Sequence, residues 1–239
     1  MKKLLTSDYD RTFFEDEESI KDNIKKVKEF RDKGNIFVIA TGRAYHHFIK
    51  ELDKYDIKYD YLIINHGATI LDKKHRIIKN YSINNDIKED IKHEFKLEDN
   101  EDIFSCKGLK SITSINEKDI TKIHIKCNSK EEQLKFDKII KTKYKDFAKS
   151  YPITGPSNSI EIISSNTDKS IAIKDIAKLE NIEENKIFTI GDSFNDLEML
   201  EAFNGYCMLN SEEFIKSKIS QKCKSVGEVI DKIIGGLNE

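Results

Sequence analysis

Two rhythms of apolar positions alternate along the first 65 residues. Leu4 and Leu5 make a short apolar pair that predicts a buried strand. In "EESIKDNIKKVKEFRDKGN" (17–35) the apolar positions are 20, 24, 27 and 30, which is helical spacing, and Gly34 suits the position just past a helix end. "IFVIA" (36–40) is a continuous apolar run and predicts a fully buried strand. "AYHHFIKELDKY" (44–55) returns to helical spacing, with Tyr45, Phe48, Ile49 and Leu52 on one face, and "YLIIN" (61–65) predicts a third buried strand. Strands alternating with helices imply parallel βαβ units and a doubly wound sheet.

The rhythm changes between about Tyr81 and Ser165, where charges are denser and buried runs rarer. "DIKEDIKHEFKL" (86–97) and "KEEQLKFDKIIKTKYKDFAK" (130–149) predict amphipathic helices. "TKIHIKC" (121–127) and "SNSIEIIS" (157–164) alternate, as half-exposed antiparallel strands do. The first rhythm then returns, with a helix over 169–180, a buried strand "KIFTI" (186–190), a short strand at 205–209 and a closing helix at 226–237. The expected architecture is α/β: a doubly wound parallel, Rossmann-like core from 1–81 and 166–239, interrupted by an α+β cap domain over 82–165.

Composition narrows the classes. The chain has 239 residues, 38% hydrophobic and 35% charged, as a soluble globular protein does. Lys and Arg number 41 against 43 Asp and Glu, and the net charge of -2 makes no case for a nucleic-acid or membrane partner. Cys106, Cys127, Cys207 and Cys223 show neither a C-x-x-C pair nor a zinc spacing, which fits reduced thiols in a cytoplasmic protein. The opening "MKKLL" is basic then apolar, but Thr6, Ser7 and Asp8 end the run before a signal h-region can form. No stretch approaches the roughly 18 apolar residues of a membrane span.

Chemistry gathers where strands end. Asp8, Asp10 and Thr12 follow the first strand, Thr41-Gly42-Arg43 the second, and Asp192, Asn195 and Asp196 the strand at 186–190, while Lys169 opens a helix in the same half. In open α/β sheets ligands bind outside the carboxyl ends of the strands, so these clusters converge on one site. Asp8, Asp10 and Asp192 offer hard oxygen ligands suited to Mg²⁺. The Thr41 hydroxyl and the backbone N–H groups of Thr41 and Gly42 suit an anion near a helix start, and Lys169 can neutralise phosphate charge. A carboxylate beside the metal can act as nucleophile, and a second one two residues on can protonate the leaving oxygen and then activate water.

"DYDRT", "IATGR", "DKS" and "GDSFND" resemble, in order, the four motifs of the haloacid dehalogenase (HAD) superfamily. The insert resembles the α/β cap of its Cof-type hydrolases, and "NHGA" (65–68) resembles that group's Asn-Gly-Ala stretch with one residue arranged differently. The resemblance implies Asp8 as nucleophile and metal ligand, and Asp10 as general acid/base with its backbone carbonyl on the metal. It implies Asp192 as a further metal ligand, Thr41, Gly42, Lys169 and Asn195 on the phosphoryl group, and Arg43 near the substrate. Asp196 and Thr12 would support the site. Arg11 stands where the family often has Gly. The expected activity is a Mg²⁺-dependent phosphatase acting on a small phosphorylated metabolite, such as a sugar phosphate, nucleotide or cofactor phosphate, through an aspartyl-phosphate. The alternatives are a phosphomutase of the same superfamily and a non-catalytic phosphate-accepting module. His46 and His47 are expected to touch the cap or solvent, and "FSCKGLK" (104–110) is either a substrate-facing loop or a surface turn at Gly108.

Overall fold

Leu4 and Leu5 each need an apolar neighbour on opposite faces of one strand, and both find one. The computed structural model describes residues 1–97, 103–153 and 158–236. The first elements are β1 (Leu4–Asp8), α1 (Glu17–Asp32), β2 (Ile36–Ala40), α2 (Tyr45–Tyr55) and β3 (Tyr61–Ile64). Asp16 caps α1, its Oδ1 accepting from the Glu18 and Ser19 amides at 3.0 and 2.8 Å, while the Ser19 hydroxyl accepts from the Asp16 amide. Gly34 follows the helix at φ +81°, a conformation that a side chain would strain.

Two short strands follow that the apolar pattern does not announce, β4 (Thr69–Asp72) and β5 (Ile77–Asn80). After an insert, the chain continues as α5 (Lys169–Leu179), β11 (Ile187–Gly191), α6 (Leu197–Ala202), β12 (Asn204–Met208), α7 (Glu213–Lys218), β13 (Lys222–Cys223) and α8 (Val226–Gly235). These strands form one sheet in the order β13-β12-β11-β1-β2-β3-β4-β5. It is parallel from β13 to β3, and β4 and β5 add antiparallel to its edge.

Strand alternation divides the core in two. Leu5, Phe37, Ile39, Leu62, Ile64 and Phe188 pack with residues of α1, α2 and α8 on one face. Leu4, Val38, Ala40, Ile63 and Ile187 pack with α5, α6 and α7 on the other. Burying both faces is what made these strands read as continuous apolar runs.

The insert carries α3 (Asn85–Glu94), β6 (Ile103–Lys107), β7 (Lys110–Thr113), β8 (Lys122–Lys126), α4 (Lys130–Lys143), β9 (Ala148–Ile153) and β10 (Ser159–Ser164). Its strands form a separate, wholly antiparallel sheet, β7-β6-β8-β10-β9. Ile123 and Ile125 of β8 and Ile160 and Ile162 of β10 point into a third core under α3 and α4.

Two expectations change here. The helix expected to run to 149 ends at Lys143, where Tyr144 closes it, and residues from Ala148 pair with β10 as a strand. The polar face of β8 and β10 does not meet solvent at its centre: Lys122 is 2% and Glu161 8% exposed. That face roofs a cavity over the core sheet. Of the expected strand at 157–164, residue 157 lies outside the described residues, as does residue 237 of the closing helix.

Candidate active site

Asp8 is the last residue of β1 and is 5% exposed. Lys169, the first residue of α5, reaches it: Nζ lies 2.6 Å from Asp8 Oδ1 and 2.6 Å from Asp196 Oδ1. The second Asp196 oxygen accepts from the backbone N–H groups of Asp192 and Ser193 at 3.1 and 3.0 Å. Gly191 makes room for this, since a Cβ there would stand 2.5 Å from the Asp196 Cβ. Thr12 donates to Asp192 Oδ1 at 3.1 Å. Asp8, Asp192 and Asp196 thus present carboxylate oxygens within 4.8 Å of one another, all buried.

Three carboxylates gather around one buried ammonium, and the imbalance registers in the acidities of Asp8 and Asp192. Burial, then Asp196 and Asp192, push the Asp8 carboxyl well above the usual carboxylate range against the pull of Lys169. Burial and Asp196 push Asp192 up to about 6. Burial opposes the charge on Lys169, but Asp196 and Asp8 outweigh it and raise its pKa. Asp192 Oδ2 is buried and accepts no hydrogen bond. Arg11 Nη1 stands 3.5 Å from it on a side chain 58% exposed. An orphaned carboxylate oxygen inside an over-negative, all-oxygen cluster fits a hard divalent cation.

Arg11 occupies the position noted as often Gly, and its backbone keeps the glycine-like conformation, φ +62°. The turn is held by Arg11 Nη2 donating to the Asn210 carbonyl at 2.9 Å and by Asn210 Nδ2 donating back to the Arg11 carbonyl at 3.0 Å.

Asp10 is the member that turns away from the carboxylate cluster. Arg43 grips it with two bonds, Nε to Oδ2 at 2.9 Å and Nη2 to Oδ1 at 2.5 Å. Thr41 ends in a tight turn after β2, its hydroxyl accepting from the Arg43 amide at 3.1 Å. Asn195 lies across the cleft, accepting from the Ser193 hydroxyl at 2.6 Å, its Nδ2 3.4 Å from His66 Nδ1. Asp8, Asp10, Gly42, Arg43, Asp192 and Asn195 line one cavity of about 1030 Å³. Thr12, Thr41, Lys169 and Asp196 are buried and hold residues of its wall.

Sequence reasoning passed over the roof. Lys122, His124 and Glu161 line the same cavity from β8 and β10, with Tyr151 from β9 and Phe104 from β6. Phe104 stacks on His124 at 4.4 Å, so the first residue of "FSCKGLK" faces the cavity while Gly108 makes the β6–β7 turn. The signal was the alternation of Lys122, Ile123, His124 and Ile125, where one face is charged. His46 touches the insert as expected, its amide donating to the Ser111 hydroxyl at 2.7 Å.

The profile of the haloacid dehalogenase-like hydrolase family matches residues 5–110 and 93–229. The chain belongs to this family and is an enzyme of the hydrolase class. Its sheet, motif order and inserted cap have the Cof-type arrangement that the motifs implied. An uncharacterized protein of Mycoplasma capricolum is 28% identical, over 96% of this chain and 99% of its own. The 5-amino-6-(5-phospho-D-ribitylamino)uracil phosphatase of Bacillus subtilis is 26% identical, over 90% of this chain and 86% of its own. Among solved structures, a haloacid dehalogenase-like hydrolase from B. subtilis superposes with a TM-score of 0.77 at 22% identity, covering 97% of this chain and 99% of the other. No helix among the described residues is long and apolar enough to cross a membrane.

Proposed function

We propose that this protein is a Mg²⁺-dependent phosphatase that hydrolyses a small phosphorylated metabolite through an aspartyl-phosphate on Asp8. One observation carries the reading: the buried Asp8, Asp192 and Asp196 carboxylates gather within 4.8 Å beside a large cavity, with more negative charge than Lys169 can neutralise. Mg²⁺ held by Asp8, Asp192 and the Asp10 carbonyl, with Asp196 in support, would offset the charge of the phosphoryl oxygens when bound. The relative named as a phosphatase supports a phosphate monoester as the substrate.

The chain's own groups divide the work. Lys169 fixes the orientation of the Asp8 carboxylate. An Asp8 oxygen attacks phosphorus, the bond to the leaving oxygen breaks, and Asp10 supplies that oxygen with a proton. Asp10 then takes a proton from water, the water oxygen attacks phosphorus, and the Asp8–phosphorus bond breaks to release phosphate. For this Asp10 turns out of its grip by Arg43, a motion open to it because its side chain is 47% exposed. The Gly42 N–H and Asn195 bind the phosphoryl oxygens, whereas the Thr41 N–H, expected to join them, is spent on the Ile63 carbonyl at 2.8 Å.

Residues 82–165 act as a cap over this chemistry, with hinges near Tyr81 and at 165–167. The Tyr81 amide still bonds the core, to the Ala68 carbonyl at 2.8 Å, whereas the Ile83 amide bonds the Ile120 carbonyl within the insert. The test is phosphate release from p-nitrophenyl phosphate with and without Mg²⁺, followed by mass spectrometry of acid-quenched enzyme. A phosphorylated peptide containing Asp8 is expected. Turnover with no phosphoryl-enzyme at any quench time would overturn the mechanism.

A further inference from the structure

His66 sits where the floor and roof of the cavity meet, in a strained piece of chain. Asn65, His66 and Gly67 are consecutive residues at φ +53°, +57° and +109°. Left-handed backbone at two non-glycine residues persists only where the surroundings enforce it. Gly67 has no alternative, because a Cβ there would stand 2.3 Å from the Asp168 backbone. The run is laced to the turn after β2: the Asn65 amide donates to the Arg43 carbonyl at 3.0 Å and the His66 amide to the Thr41 carbonyl at 3.2 Å. The His66 ring lies over Gly42 so closely that a Cβ on Gly42 would come within 2.3 Å of it.

From above, one carboxylate gathers these parts. Glu161 Oε2 accepts from His66 Nε2 at 2.5 Å, and Oε1 accepts from Lys122 Nζ at 2.6 Å and His124 Nδ1 at 3.2 Å. Lys122 goes on to donate to the Gly42 carbonyl at 2.8 Å. His66 stacks on Tyr151 of the cap at 4.4 Å and 14°, and its Nδ1 faces Asn195. The cap is therefore tied twice to the turn that binds phosphate in the reading above, once from Glu161 through His66 and once from Lys122 directly, and Glu161 also holds the Lys122 ammonium in place.

We propose that Glu161, with Lys122 and His66, is a set of positioning residues that transmits the seating of the cap into the Thr41–Arg43 turn. The claim rests on that turn being the phosphate site, and its test is chosen to stand apart from that reading. A buried ion pair that merely fills space is replaceable by neutral residues of similar shape. A positioning set is not, because the Gly42 carbonyl then loses its donor and the His66 ring its charged anchor.

The experiment compares wild type, Glu161→Gln and the double variant Glu161→Gln/Lys122→Met by hydrogen–deuterium exchange, with β1 and β11 as internal reference. In the double variant no buried charge is left unpaired. The expected result is exchange at 41–43 and 65–66 at least about tenfold faster than wild type with β1 and β11 unchanged, and kcat/KM for p-nitrophenyl phosphate at least about tenfold lower. Wild-type exchange at both turns in the double variant would overturn the proposal. So would exchange quickened equally throughout β1 and β11, which would make the cluster a structural ion pair. A wild type that hydrolyses no phosphate ester would remove the phosphatase reading, and the exchange data would still decide this one.

Discussion

Two buried charge clusters face each other across the cavity, and they are balanced differently. The floor holds three carboxylates against one ammonium, and the carboxyls of Asp8 and Asp192 are pushed up in pKa. The roof holds one carboxylate among Lys122, His124 and His66. Burial opposes the Glu161 charge, yet Lys122 and the hydrogen bonds from His124 and His66 hold its pKa well below the usual range. Burial keeps His66 neutral despite Glu161, so His66 serves as a hydrogen-bond donor through Nε2. The roof is complete as it stands, whereas the floor calls for a cation. Completeness suits a group that positions, and deficit suits a group that binds and reacts.

The largest effect expected is on the floor. Asp8→Asn keeps the shape and removes the proposed nucleophile, so hydrolysis of p-nitrophenyl phosphate should fall by about 10⁴-fold or more, while far-UV circular dichroism stays unchanged. The roof variants above should cost far less. If Asp8→Asn and the roof double variant lose activity equally, the division between reacting floor and positioning roof collapses.

Removing the cation should silence the floor just as fully without touching the roof. Excess EDTA should bring turnover to background, and Mg²⁺ should restore it. Full activity in chelator would show that Lys169 suffices to balance the cluster.

The floor was legible in the sequence and the roof was not, for a physical reason. Asp8, Thr41 and Asp192 end or follow short strands buried on both faces, and such strands betray themselves as apolar runs with a polar residue at the tip. Lys122 opens β8 and Glu161 lies within β10, both on a polar face. Alternation marks that face as polar but cannot say whether water or another domain covers it. Nor does the pattern reveal β4, β5 or β9. β4 and β5 span four residues each, and Ile77 and Ile78 of β5 remain partly exposed at the sheet edge, so burial leaves little trace in β5. His66 was visible as a departure in "NHGA", yet its stack on Tyr151 depends on the cap's placement, which no local pattern encodes.

A smaller effect tests the electrostatic deficit directly. Asp192 has a pKa of about 6 in the folded protein against 3.8 unperturbed. Below about pH 4 the carboxyl is protonated in both states. Between these values the folded state keeps a proton that the unfolded state has lost, so the stability this gives is lost as pH rises through 6. Asp192→Asn carries no such cost. In EDTA, urea unfolding should find the variant more stable than wild type at pH 8, by on the order of 3 kcal/mol, with the gap closing toward pH 4. Mg²⁺ should reverse the order, because only wild type retains the ligand. A pH-independent gap would mean that the floor holds no excess charge at Asp192.

The smallest effect concerns the residue that links neither cluster to the other but holds Asp10 at the cavity's edge. Arg43 grips Asp10 through two parallel bonds, and its guanidinium lies 5.5 Å from the centre of the Tyr9 ring. Both side chains are partly exposed, 35% and 47%, so solvent screens their attraction and geometry matters more than charge. Arg43→Lys keeps the charge and loses the fork. Asp10 should then sample more orientations, and kcat for p-nitrophenyl phosphate should fall about tenfold, a loss typical of a misplaced acid–base group. Binding of inorganic phosphate should change less, since the Gly42 amide and Asn195 remain. A variant that loses phosphate affinity but keeps kcat would instead make Arg43 a ligand of the phosphoryl group. Asp10 would then need no help in finding its place.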